Sequence, residues 1–579
     1  MERRGAVVAA LAAALIYFVS AASPPSLMDD VDAVQAQIAR NMLDSGDWVT
    51  ARLNGVAYLE KAPGPYWMMA ASYSIFGLRD WAARIPFALS AVALAWLTAL
   101  MGGWAFGARA GMFAGLSAGC SVGLWLFTRI AIPDVTLTLA VTLAMWSLVR
   151  FEEAPLRRWA WLFWASLGAG FLLKGLIAVV FPVATAVLYM SVRRRFIPIW
   201  TGWWLAPLIA APWVWLAMVR NPPLVDLTMH SAPGEYHGFF WFFFLNEHLF
   251  RFLDMRWPRD YNTVSRPLFW IFHLAWLFPW SAYLAEALRK LPGRRESRPE
   301  RLRLLCWCWA GFILTFFTFS TTQEYYSMPA YPALALLLGD ALVRETKWTR
   351  WGELALAGIC AALSAGLGGI WWLVRGMEAP GDISRALTLN PEAYTLSLGH
   401  MRDLTLPAFA YLKTPLLMAV AAFSLGAAAA WRRWRVMLAG MMILFTFAAR
   451  TALTVFDPYL SSRALAEALL RAPRGEVVVD NQYYAFSSVF FYAHERMAPR
   501  AWLLNGRVNN LEYGSHAPGT PDVFLDDRAF AEKWRGAARV YLFVESPRLA
   551  VIEKLVGAAN LHRVAEAGGK FLLVNRPSG

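Results

Sequence analysis

Charge is what this chain has least of. Only 16% of its 579 residues are Asp, Glu, Lys or Arg, against roughly 25% in an average soluble domain. That deficit excludes an ordinary soluble protein, because 58% of the residues are apolar and many fall in long uninterrupted runs. Runs near 20 residues are the length that crosses a bilayer core. Cysteine is scarce as well. Cys120, Cys306, Cys308 and Cys360 all sit in apolar runs, so neither a disulfide framework nor a cysteine metal site is expected. Cys306-Trp-Cys308 also lacks the two-residue spacing of common cysteine pairs. No internal repeat is visible, which counts against a transporter built from duplicated halves. Acidic residues are outnumbered 40 to 54, for a formal charge of +14. In a soluble chain that excess would suit nucleic acid. Here the basic residues that mark the cytoplasmic side of membrane proteins explain it, and no nucleic-acid partner is expected.

What is present is a succession of apolar segments. Thirteen candidate spans can be placed, at 5–23, 81–105, 109–127, 133–150, 158–173, 175–192, 200–218, 267–287, 302–320, 327–343, 352–374, 412–431 and 435–454. The N-terminal Met-Glu-Arg-Arg and the apolar run after it resemble a secretory signal. They read as an uncleaved first span, because so many spans follow. Arg109, Arg150 with Arg157 and Arg158, and Arg193-Arg-Arg195 fall in alternate connections. So do Arg289, Lys290, Arg294, Arg295, Arg298, Arg301 and Arg303, then Arg344 to Arg350, and Arg432-Arg-Trp-Arg435. The positive-inside rule puts all of these in the cytoplasm. The loops 24–80 and 219–266, the turns 129–134 and 320–326, residues 375–411 and the C-terminus are then outside. The expected division is a membrane domain, 1–455, and a smaller domain, 456–579. In the latter, short apolar strands at 477–479, 539–544 and 571–574 alternate with helices, which predicts a small α/β fold. It carries no nucleotide-binding glycine fingerprint.

The outer segments hold the polar groups. Asp29, Asp30 and Asp32 directly follow the first span and precede a helical pattern. Helix capping accounts for one acid there, not for three in four residues. Glu60-Lys61 precedes Ala-Pro-Gly-Pro-Tyr-Trp, where turn residues and interfacial aromatics would hold Lys61 near lipid-phosphate level. Arg129-Ile-Ala-Ile-Pro-Asp134 places Asp134 in the first turn of a helix, a capping position in its plainest reading. The aromatic run 239–252 predicts an amphipathic interfacial helix with Glu247, His248 and Arg251 on or near one face. His248 has no second histidine beside it and makes a poor metal motif. Ser320 to Pro329 carries Tyr325 and Tyr326. Together these segments offer carboxylates for proton abstraction, cations for an anionic leaving group and aromatics for a sugar or lipid. That set suits transfer of a group from a lipid phosphate to a hydroxyl.

Several stretches resemble the lipid-carrier-dependent glycosyltransferases of the GT-C fold, the group holding aminoarabinose transferase of lipid A and the protein O-mannosyltransferases. They are Asp30-Val-Asp-Ala to Gly46-Asp-Trp48, Arg52 to Lys61, Arg129 to Asp134, Phe171-Leu-Leu-Lys-Gly175, Asn246 to Phe252 and Tyr325 to Pro332, and the likeness covers nearly the whole chain. The resemblance implies a polytopic α-helical protein of about 13 spans with a small C-terminal periplasmic α/β domain in a bacterial inner membrane. It implies an inverting transferase. The donor is a sugar on polyprenyl phosphate, undecaprenyl phosphate in bacteria, and the acceptor is lipid A, another glycolipid or a protein. The alternatives are a protein O-mannosyltransferase-like enzyme and a lipid-linked sugar flippase. The family pattern points to Asp30 or Asp32 as the principal carboxylate and Asp134 as the second. It puts Lys61 and Arg251 around the donor phosphate, with a tyrosine near Tyr325. The outer segments themselves add Tyr326 there, and Glu60, Arg129, Glu247 and His248 elsewhere in the cavity. Many relatives carry adjacent Asp-Glu where this chain has Val31-Asp32, so both first-loop acids stay in play. The motifs name no cofactor; a divalent metal is compatible with them, but none is required.

Overall fold

The computed structural model of the chain describes residues 2–258, 264–291, 297–320, 323–388, 403–497 and 500–577. Arg294, Arg295, Thr321, Thr322 and parts of the segments 219–266 and 375–411 lie outside the described residues. Each expected span is helical. Among the described residues, seven helices are long and apolar enough to cross a membrane: Arg4–Ala21, Asp80–Phe106, Asp134–Glu153, Arg298–Phe319, Lys347–Val374, Pro407–Trp431 and Met437–Val455. Two bent pairs, Ala108–Gly119 with Val122–Thr128 at 46° and Arg266–Trp276 with Trp280–Arg289 at 100°, are long and apolar enough only when taken together, as a broken span or a re-entrant loop. The other four expected spans lie on Arg157–Lys174, Ile177–Arg193, Leu205–Arg220 and Tyr331–Ala341. These are short or carry charge at their ends. Among the described residues, helix length and composition therefore support seven crossings, or nine if each bent pair is one span, where the sequence suggested thirteen.

Small residues let the first helices approach closely, as in membrane bundles generally. A side chain at Gly115 would strike Ala9, Ala95 and Ala99. Several of the basic residues taken as side markers are spent in buried ion pairs at the helix ends. Arg303 donates to Asp340 at 2.6 Å, and Arg435 donates to Glu353 and to the Leu342 carbonyl.

Past the last long helix the chain forms a six-stranded mixed sheet. Its order is Phe524–Leu525, Trp502–Leu504, Glu476–Asp480, Val540–Glu545, Lys570–Val574, His562–Ala567. The first four strands are parallel and the last two antiparallel. Val477-Val-Val479 and Val540 to Val544 are fully buried, as parallel strands covered on both faces should be.

The sheet reaches back to the membrane part. Gly568, at φ +63°, turns the last hairpin so close to residues 457–460 that a Cβ there would lie 1.9 Å from the Pro458 carbonyl oxygen. Only glycine suits both that dihedral and that contact.

Candidate active site

The loop 24–80 is mostly ordered structure: helix Val31–Ser45, a two-stranded hairpin pairing Arg52–Leu53 with Val56–Ala57, and helix Gly64–Phe76. The three acids at its start part company. Asp30 lines the main cavity. Its backbone sits at φ 73°, ψ −102° and its side chain makes no capping bond, so helix capping does not explain it. An aspartate held there costs about 1–3 kcal/mol and persists only where neighbours fix it. Asp29 is not a cap either; its carboxylate accepts from Lys570 Nζ at 2.7 Å, Ser462 Oγ at 2.5 Å and the Ser488 N–H at 2.8 Å. Asp32, 1% exposed, turns the opposite way. It receives Arg84 at 2.9 Å and the Ala131 N–H at 3.0 Å, and with Arg129 it lines a small separate pocket. The expectation that Asp32 and Arg129 share the cavity is thus corrected. Successive positions at the start of a helix face different sides, and Arg84 claims Asp32.

The hairpin delivers Glu60 and Lys61 to the same cavity as Asp30. Glu60 accepts from Tyr58 Oη, lies 3.2 Å from Lys61 Nζ and receives Arg256 at 3.1 Å. Arg256 also donates to Glu247, which receives Arg251 at 2.5 Å. The result is one chain of alternating charge, Lys61, Glu60, Arg256, Glu247, Arg251, buried at its three central members and partly exposed at its two ends. Burial would raise the Glu247 carboxyl, but Arg256, Arg251 and Lys61 outweigh it and hold it at about 2. Burial also works against the Lys61 ammonium, yet Glu60 beside it raises its pKa, so both groups stay charged near neutrality.

The aromatic run does not lie on the bilayer surface as an amphipathic α-helix. Trp241–Phe250 is a π-helix, a form that often marks functional sites. It is packed inward, with Phe242 stacked on Tyr513 of the C-terminal domain at 4.1 Å. The wider turn brings the Phe243 carbonyl to His248 Nδ1 at 2.5 Å, while the Leu176 N–H donates to Nε2 at 3.1 Å. These partners assign the proton to Nδ1 and engage both ring nitrogens with backbone. Gly175, at φ +73°, permits this contact, since a Cβ there would fall 2.3 Å from Nε2.

Across the cavity, Lys174 Nζ donates to Asp134 Oδ1 at 2.5 Å and lies 4.9 Å from the ring centres of Tyr325 and Tyr326. Asp134 Oδ2 has no hydrogen-bond partner among the described residues. Glu324 also lines the cavity. It is 8% exposed, burial raises its carboxyl to about 7, and its Oε2 has no partner among the described residues.

The cavity has about 580 Å³. It brings together Asp30, Glu60, Lys61, Asp134, Glu247, His248, Arg251, Tyr325 and Tyr326. Its wall includes Val180, Leu249 and Phe252, which are 40%, 41% and 38% exposed. A polar interior thus meets an apolar rim. Sequence reasoning missed Tyr58, Arg256, Lys174 and Tyr484 as cavity residues. Lys174 lay in the Phe171 to Gly175 motif and was legible there; Arg256 and Tyr484 lay in segments with no motif. Among the described residues no cluster of three or more potential metal ligands is found.

Fold and cavity together define a multi-pass membrane protein similar to the lipid-carrier-dependent glycosyltransferases. Residues 60–216 match the family described as dolichyl-phosphate-mannose-protein mannosyltransferase. The likeness extends to undecaprenyl phosphate-alpha-4-amino-4-deoxy-L-arabinose arabinosyl transferases. One from Pectobacterium carotovorum is 30% identical over 58% of this chain and 60% of its own length. Another from Pseudomonas fluorescens is 31% identical over 63% and 61%. The matched stretch spans about three fifths of these relatives. The crystal structure of ArnT from Cupriavidus metallidurans bound to undecaprenyl phosphate superposes with a TM-score of 0.74 at 22% identity, covering 99% of this chain and 98% of that one. The two share a fold.

Proposed function

We propose that this chain is an inverting glycosyltransferase that moves a sugar from a polyprenyl phosphate, undecaprenyl phosphate in bacteria, to lipid A or another glycolipid. Residues 1–455 form its catalytic membrane part, and 456–579 a periplasmic domain on a bacterial inner membrane. One observation carries the reading: Lys61, Arg251, Asp30 and Asp134 line a single cavity with an apolar rim. A lipid-borne donor needs that combination, with its chain at the rim and its phosphate inside. The names of the arabinosyl transferase relatives support a 4-amino-4-deoxy-arabinose donor.

In this reading the donor phosphate sits against Lys61 and Arg251. The acceptor oxygen attacks the anomeric carbon from the face opposite the phosphate. The bond from that carbon to the phosphate oxygen breaks with both electrons passing to the phosphate, whose charge the two cations stabilise. The acceptor proton passes to Asp30, the general base. Asp134, held by Lys174, positions the acceptor. His248 and Glu60 shape the wall, and Tyr325 and Tyr326 flank the sugar.

The test is transfer of labelled sugar from polyprenyl phosphate in proteoliposomes, with lipid A and protein acceptors offered separately. Asp30→Asn should lower turnover by about 10²–10⁴-fold with donor binding near normal. Absence of transfer to every acceptor with intact donor would reject the reading. The match of residues 60–216 to the mannosyltransferase family favours one second reading, a protein acceptor, which the protein arm decides.

A further inference from the structure

The backbone N–H groups leading to Asp30 are taken mostly by the far end of the chain, while Arg84 and the Ala33 N–H hold carbonyls of the same stretch. From Ser26 to Asp30 five consecutive N–H groups are engaged, and residues beyond 456 receive four of them. The Ser26 N–H donates to Asp457 Oδ1 at 2.7 Å, and that of Leu27 to Tyr492 Oη at 2.8 Å. The Asp29 N–H donates to the Leu460 carbonyl at 2.8 Å, and that of Asp30 to the Tyr484 carbonyl at 2.8 Å and Ser487 Oγ at 3.0 Å. Only Met28 bonds locally, to Asp32.

The side chain of Asp29 adds the central tie. Lys570, 8% exposed, joins Asp29 Oδ2 at 2.7 Å, Ser462 Oγ at 3.3 Å and the Ala485 carbonyl at 2.5 Å. It thereby ties the last sheet to residues 462 and 485, next to Tyr484, which lines the cavity. A positive-φ aspartate does not hold itself, because L side chains avoid that region. Here the neighbours that fix it are on the C-terminal domain.

The geometry points to the C-terminal sheet as the positioning element of the site, with Lys570 the residue that locks Asp30 into its working conformation through Asp29. The inference rests on Asp30 being the base, as proposed above. It assigns the domain a task in the chemical step. Lys570 touches neither substrate, so it is a positioning residue. A misplacement of about 1 Å at a reacting group costs up to roughly 10²-fold in rate.

The experiment uses the full-length protein in proteoliposomes, with undecaprenyl phosphate binding measured alongside turnover. Lys570→Met should lower kcat by about 10²-fold while KM for the donor and Kd for undecaprenyl phosphate stay within about two-fold, since a lost tie at Asp29 leaves the cations in place. Lys570→Arg, which can still reach Asp29, should recover most of the rate. In an Asp30→Asn background Lys570→Met should cost nothing more, because two residues acting as one unit are not additive. If Lys570→Met does not fold, Ser487→Ala removes one acceptor of the Asp30 N–H and should give a smaller loss of the same kind. Wild-type kcat in the folded variant, or losses that multiply with Asp30→Asn, would overturn the inference while leaving the base assignment standing. Full turnover in Asp30→Asn would instead remove the base, and with it any route from Lys570 through Asp30.

Discussion

Arg256 is the residue whose removal should hurt folding most within the cavity wall. Its side chain is 1% exposed, and those of Glu60 and Glu247, which it bridges, are 3% each. Its third bond goes to the Pro258 carbonyl at 2.6 Å. Arg256→Met keeps much of the volume but deletes the central charge. Among the described residues, Glu60 then keeps Lys61 and the Tyr58 hydroxyl, and Glu247 keeps Arg251. Breaking a buried ion pair from one side costs about 3–5 kcal/mol, and that is the loss expected at pH 7. A pH signature accompanies it. Arg256 is the largest influence holding Glu247 at about 2 against its burial. In the intact protein the stability contributed by Glu247 is therefore present above its unfolded pKa of about 4.3 and lost only as pH falls through about 2. Without Arg256 burial dominates and the folded pKa rises, so the variant's deficit should shrink on acidification from pH 7 to pH 5. Glu247→Gln in the Arg256→Met background should restore part of the loss. The assay is thermal unfolding in lipid nanodiscs for the two single variants, the double variant and the parent at both pH values. A variant within about 1 kcal/mol of the parent, or a deficit indifferent to both pH and Glu247→Gln, would refute the reasoning, since a buried uncompensated charge cannot be that cheap.

Lys61→Ala and Arg251→Ala should each weaken undecaprenyl phosphate binding by about 1.5–3 kcal/mol, roughly 10- to 150-fold in Kd; unchanged titration curves would exclude the residue concerned from the phosphate subsite. Glu324 has a folded pKa of about 7, raised by burial. Its presence therefore destabilises the protein increasingly as pH rises from 5 to 8, and Glu324→Gln should gain thermal stability over the parent across that range; a pH-independent difference would contradict this. For topology, a cysteine at the exposed Ser297 should resist an impermeant outside reagent in intact spheroplasts, whereas one at the exposed Lys554 should react; labelling at Ser297 would invert the proposed orientation.

What the sequence made legible follows from how each signal arises. Apolar runs and basic clusters report on lipid and water, so all the expected spans proved helical. Length was less readable. Tyr331–Ala341, with 11 residues, reads as a full span only because the apolar turn before it extends the run. Three of the six tail strands, at 477–479, 539–544 and 571–574, were readable as apolar runs that need no alternation, whereas Trp502–Leu504, Phe524–Leu525 and His562–Ala567 were not. Motif spacing gathered Lys61, Asp134, His248 and Arg251, all of which reached one cavity.

What failed was direction. No periodicity says that Asp32 meets Arg84 from 52 residues away, or that Asp29 meets Lys570 from 541 away. A carboxylate beside a helix start looks like a cap because the cap needs only local chain, whereas the true partners are set by tertiary packing. The π-helix was hidden for a related reason. Phe239 to Phe244 fits an interfacial α-helix by composition, and only the contacts with Tyr513 and Gly175 make the wider turn worthwhile. Both errors have one origin: the segments were weighed against solvent and lipid, when their real surroundings were distant parts of the protein, Arg84 for Asp32 and the C-terminal domain for Asp29 and the aromatic run. A tail with no chemical motif of its own therefore supplies the partners of Asp29 and Asp30, while Asp32, two residues on, is claimed by Arg84 of the membrane part.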